Sequence, residues 1–83
     1  METSFEVKQN LSVKHKMSDI ILDISLAKIS MKYFEKSRSW LYHKLDGIDG
    51  NGKPTDFSLD EKEQLRNALK DLSNRISTCA DNL

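Results

Sequence analysis

The residues from Gly47 to Pro54 carry the most conspicuous chemical pattern in the chain. Gly47-Ile48-Asp49-Gly50-Asn51-Gly52-Lys53-Pro54 has the glycines and lysine of a phosphate-cradling loop. Such a loop ends in Ser or Thr, whose hydroxyl holds magnesium, and it runs from a buried strand into a helix. Here the last position is Pro54, the preceding segment reads as a helix, and the next helix opens only at Ser58. Nucleotide binding is therefore not expected. The same stretch mimics a calcium loop through Asp49, Asn51 and Gly52. In that register the twelfth position is Ser58, where calcium needs a bidentate Glu, and the first is Gly47, which has no side-chain ligand. The glycines read instead as residues of a tight turn.

The remaining candidates for chemistry are sparse. His15 and His43 lie far apart in sequence, without His, Cys, Asp or Glu partners at metal-ligand spacing. Asp60, Glu61 and Glu63 fall in the first turn of a helix, where carboxylates complement the helix dipole. Cys79 is the sole cysteine, so it has no internal disulfide partner, and its helical spacing among apolar residues reads as a small core hydrophobe. No catalytic constellation emerges. The sequence is not read as an enzyme, and no cofactor, metal or small-molecule substrate is expected.

Charge is balanced in total and uneven in distribution. The chain has 83 residues, with 13 basic and 13 acidic side chains. Residues 1–27 carry three bases and four acids, residues 28–45 five bases and one acid, and residues 46–83 five bases and eight acids. The segment nets are −1, +4 and −3. The middle of the chain thus forms a basic stretch that suits a polyanion although the whole is neutral.

That basic stretch, residues 26–47, reads LAKISMKYFEKSRSWLYHKLDG. A short helix over Leu26–Phe34 precedes a brief turn, Ser37-Arg38-Ser39 opens a second helix, Leu41 and Leu45 anchor that helix inward, and Gly47 closes it. This arrangement resembles the helix-turn-helix of phage repressor-like regulators. Ser30 is the nearest candidate for the small residue such a motif carries in its first helix, and Phe34-Glu35-Lys36 stands where a glycine is usual. The resemblance implies a small DNA-binding transcriptional regulator of bacterial or phage type. The second helix would offer Ser37, Arg38 and Ser39 to the major groove, with backbone N–H groups there to take a phosphate. Tyr42 and His43 would lie on its polar side, and Lys32, Lys36 and Lys44 would meet phosphates.

Over most of its length the chain also resembles a family of short uncharacterised bacterial proteins. The shared features are Tyr33-Phe34-x-Lys36-Ser37-x-Ser39-Trp40-Leu41 and Asn51-Gly52-Lys53-Pro54. That family brings no activity to carry over. A competing reading is a non-enzymatic helical protein–protein interaction module of a mobile element, with Tyr33, Phe34, Trp40 and Tyr42 as its contact patch.

The elements that must position these residues are helical. Length and composition fit one all-α domain over residues 1–83, a small bundle of about four helices. Residues 1–10 read as a short strand or an unanchored arm, with Phe5 and Val7 alternating with polar neighbours. From about Leu11, Val13, Met17, Ile20, Ile21 and Ile24 form one apolar stripe of a first helix, capped by Asn10 or Ser12. Ser25 caps the second helix and Ser37 the third. Residues 46–57 form a loop or hairpin-like excursion. Ser58 and Glu61 make a capping box for a C-terminal helix over residues 58–82. Along it Leu65, Leu69, Leu72, Ile76, Cys79 and Leu83 repeat at spacings of 4, 3, 4, 3 and 4, which suits a homodimer seam as well as a core face. The first residues do not read as a signal peptide and no apolar run nears the ~20 residues of a membrane span. A cytoplasmic location is expected, with no membrane partner.

Overall fold

Ser25 marks the start of the central part of the fold. Its extended backbone and its hydroxyl, which accepts from the Lys28 N–H at 3.2 Å, open a helix over Leu26–Phe34. The computed structural model describes residues 12–83. Their four helices are α1 (Val13–Lys16), α2 (Leu26–Phe34), α3 (Trp40–Asp46) and α4 (Leu59–Asp81). The only β-type pairing among the described residues is an isolated bridge between Ile48 and Pro54. The fold is the small all-α bundle with a long C-terminal helix that the sequence predicts. The expectations for residues 1–10, for Asn10 as a cap and for a helix start at Leu11 lie outside the described residues.

The first helix is much shorter than its apolar stripe suggests. Ser12 caps it, accepting from the His15 N–H at 3.1 Å, but the helix ends at Lys16. Beyond it the chain runs through tight turns, with Ile20 N–H on the Met17 carbonyl and Asp23 N–H on the Ile20 carbonyl. The reason lies in the residues. Ser18, Asp19 and Asp23 are weak helix formers, and Ile20, Ile21 and Ile24 are stiff at the β-carbon. The stripe still faces inward: Met17 is buried and Val13, Ile20, Ile21 and Ile24 pack against the core.

The core gathers Met17, Leu26, Ile29, Phe34, Leu41, Leu45, Phe57, Leu65 and Ala68. Each buried aliphatic or aromatic side chain contributes about 1.5–3 kcal/mol over the exposed state. Ala68 lets α4 pass close to the body, one turn beyond Leu65. Past Leu72 the packing stops. Residues 73–83 are all exposed, Ile76 at 58% and Leu83 fully. The C-terminal stripe is therefore core at Leu65, half-buried at Leu69 and Leu72, and open at Ile76, Cys79 and Leu83. The expectation that Cys79 is a core residue is corrected: its thiol is exposed, because α4 has outrun the elements that cover it.

Candidate nucleic-acid interface around helix α3

The joint between α2 and α3 is organised by one residue, Ser30. It is fully buried. Its carbonyl accepts the N–H groups of Glu35 and Lys36, closing the C-terminus of α2. Its hydroxyl accepts the Leu41 N–H at 3.0 Å, in the first turn of α3. Those first N–H groups have no acceptor within their own helix. Glu35 lets the chain turn here by adopting a left-handed backbone, φ 56, where a glycine would sit without strain.

Sequence reasoning placed the start of α3 at Ser37. The structure corrects this. Helical hydrogen bonding begins at Trp40, and Ser39, the residue at the cap, makes no side-chain capping bond. Ser37 instead offers its carbonyl to the Trp40 N–H at 3.1 Å. Ser37, Arg38 and Ser39 thus form the exposed approach to α3 rather than its first turn.

At its far end α3 stops at Gly47, φ 80, whose N–H returns to the His43 carbonyl at 2.9 Å. A tight excursion follows. Asp49 donates its N–H to the Lys53 carbonyl at 2.8 Å, and one carboxylate oxygen accepts from the backbone of Asn51 and Lys53. Those two N–H groups, Lys53 first, hold the Asp49 carboxyl below the ordinary range. Gly50 packs beside the His43 ring. A shallow groove of about 320 Å³ results, lined by Ser37, Ser39, Trp40, His43, Lys44, Asp49, Gly50 and Thr55. The loop is thus the tight turn expected, and among the described residues no cluster of His, Cys, Asp or Glu is placed to hold a metal.

The eight residues predicted for nucleic-acid contact divide into three groups. Ser37, Arg38, Ser39 and Lys36 are exposed along the turn into α3, and Tyr42 is exposed on the helix with His43 partly so. Arg38 has no ion pair or side-chain hydrogen bond among the described residues. Lys36 lies over the Trp40 ring at 6.0 Å.

Lys44 stands apart. Its ammonium meets the Glu61 carboxylate at 3.0 Å and the Asp56 carbonyl at 2.7 Å, and its side chain is only 15% exposed. It ties α3 to the capping box of α4, where Ser58 and Glu61 bond reciprocally. A lysine so committed is a strut, not a free phosphate contact. Lys32 is the other exception. It lines a different cavity with Lys28 and Arg75, between α2 and α4.

The four aromatic residues considered as one contact patch are likewise dispersed. Phe34 is buried and Trp40 half-buried, their ring centroids 4.7 Å apart. The Tyr33 hydroxyl donates to Asp71 and accepts from Arg75 at 3.0 Å. The Asp71 hydrogen bond, followed by burial, raises its phenol above the ordinary value against the pull of Arg75. Only Tyr42, 49% exposed, faces solvent freely. Ser30 and the Lys44–Glu61 pair went unassigned in the sequence, since both depend on partners brought in from another helix.

No curated protein and no solved structure matches the chain. A family model described as a domain of unknown function (DUF5053) matches residues 13–83, and so covers all four helices and the excursion after α3. Among the described residues no helix is long and apolar enough to cross a membrane. The match agrees with the resemblance to an uncharacterised family, and the chain belongs to the DUF5053 family.

Proposed function

We propose that this protein binds duplex DNA as a small regulator, with α2 and α3 serving as a helix-turn-helix. The observation that carries the reading is Arg38, an exposed guanidinium without a carboxylate partner among the described residues, flanked by Ser37 and Ser39 at the entry to α3. A guanidinium in that position suits bidentate contact with guanine or phosphate. Lys36 supports it beside Trp40, and Tyr42 and His43 extend the polar side of α3. Ser30 gives the reading its rigidity, since a reading helix must be held by its neighbour.

A second copy of the chain fits the same proposal. The spacing from Leu69 through Leu72, Ile76 and Cys79 to Leu83 continues past the buried core onto turns of α4 whose apolar residues, from Ile76 on, are exposed. An isolated helix of that length is marginal in water. Pairing along the stripe would bury it and set two α3 helices on one duplex.

The test is fluorescence anisotropy of a labelled random duplex at about 50 and about 200 mM salt. Micromolar binding that weakens about ten-fold or more at the higher salt is expected for several phosphate contacts. Arg38→Ala and Lys36→Ala should each weaken it while circular dichroism stays unchanged. Unchanged affinity in both variants would remove the reading.

A further inference from the structure

A second cavity lies away from α3, between α2 and α4. It measures about 520 Å³. Ile29, Met31 and Leu72 supply apolar walls, with Met31 40% exposed. Lys28, Lys32 and Arg75 rim it. Lys28 and Lys32 are one helical turn apart, exposed, and without carboxylate partners among the described residues. Like charges at that spacing repel, and nothing in α2 offsets them, since its first turn has no acid. Arg75 is held in place by the Tyr33 hydroxyl, which is itself bonded to Asp71. Asp71 is therefore already engaged.

We propose that this groove binds an amphipathic, acidic helix of a partner protein. Three cations around an apolar floor are complementary to a helix with carboxylates flanking an apolar stripe. A nucleic-acid backbone would satisfy the cations but leave the exposed Met31 and the half-buried Leu72 uncovered, so the apolar floor favours protein over DNA. This surface is separate from the one around Arg38. It assigns Lys32 a partner other than DNA, and it does not depend on the DNA-binding proposal.

The test uses the full chain and a fluorescein-labelled synthetic peptide about four helical turns long. The peptide carries Leu at i, i+3, i+4 and i+7 with Glu on both flanks; a control has the same composition in scrambled order. Anisotropy should show micromolar binding of the ordered peptide and at least ten-fold weaker binding of the control. The double variant Lys28→Glu/Lys32→Glu, both exposed and so free of folding demands, should lose at least ten-fold. Met31→Ser should lose several-fold, and Arg38→Ala, which lies outside this groove, should leave peptide binding unchanged. Equal binding of the scrambled control reduces the effect to bulk charge and overturns the proposal. So does an unaffected double variant, or no binding of either peptide. If the double variant instead abolishes duplex DNA binding while the ordered peptide fails to bind, the groove belongs to the DNA surface and the proposal is equally overturned.

Discussion

Ser30 of α2 supplies the capping acceptor that α3 lacks: its hydroxyl takes the Leu41 N–H at 3.0 Å, and both residues are fully buried. A helix whose own cap residue makes no side-chain bond has borrowed one from its neighbour. Ser30→Ala removes only this acceptor and leaves a buried N–H unpaired, which costs about 1–3 kcal/mol. The urea midpoint should fall accordingly with an unchanged slope. A midpoint equal to that of the parent would show that another group, or water, satisfies Leu41.

Glu35 should respond in the opposite sense. It holds a left-handed backbone at φ 56, which disfavours a residue with a β-carbon by about 1–2 kcal/mol. Glycine removes that strain but frees the unfolded chain by about 0.4–1 kcal/mol. Glu35→Gly is therefore expected to stabilise by about 0.5–1 kcal/mol, seen as a higher Tm. A lower Tm would mean that the Glu35 side chain supplies a contact that outweighs the turn.

Acid should loosen the tie between α3 and α4. Burial pushes the Glu61 carboxyl up, yet the Ser58 N–H and the Lys44 ammonium outweigh it and leave the group below its ordinary value. A carboxyl depressed in the folded state contributes stability above its unfolded pKa, near 4.3, and loses it as pH falls through the folded value. Tm should thus decline below about pH 4.3, and Glu61→Gln should flatten that decline. Lys44→Met should lower Tm at neutral pH by removing the partner of Glu61. An identical acid limb in Glu61→Gln would place the titrating group elsewhere, Asp49 being the next candidate, since its carboxyl is depressed in the same direction.

The proposed pairing through α4 makes a direct prediction. Ile76→Asp should leave the body folded, since Ile76 is 58% exposed, and convert a dimer to a monomer by light scattering. In a parallel, in-register pair the two Cys79 thiols face each other across the seam, so mild oxidation should link them. A parent protein that remains monomeric at high micromolar concentration would rule out the pairing.

The sequence made the local signals legible and the long-range ones opaque. Ser25, Gly47 and the Ser58–Glu61 box were recognisable because each acts on backbone within a few residues. The apolar residues from Val13 to Ile24 were correctly read as facing the core, but their spacing could not reveal that the chain turns rather than spirals after Lys16. Periodicity reports which side chains face inward, whereas the run of β-branched and weakly helix-forming residues after Lys16 disfavours continuing the helix. Ser37 was misread as a cap because the true acceptor, Ser30, comes from another helix. Lys44 looked like a surface cation for the same reason: Glu61, its partner, lies on a different element and is invisible to local spacing.

Trp40, the only tryptophan, stands at the first residue of α3, packed at a tilt against Phe34 and beside Lys36 and Lys44. Its emission therefore reports on the joint between helices, whereas far-ultraviolet dichroism is weighted toward α4, the longest helix. The two signals observe different parts of one molecule. Where α4 pairs with a second chain, its melting gains a dependence on protein concentration that the tryptophan signal shares only if the whole fold is cooperative with the pair. Superimposed curves would mean that assembly and the α2–α3 joint are a single thermodynamic unit; separated curves would measure, without any label, how far the outer turns of α4 melt independently of it.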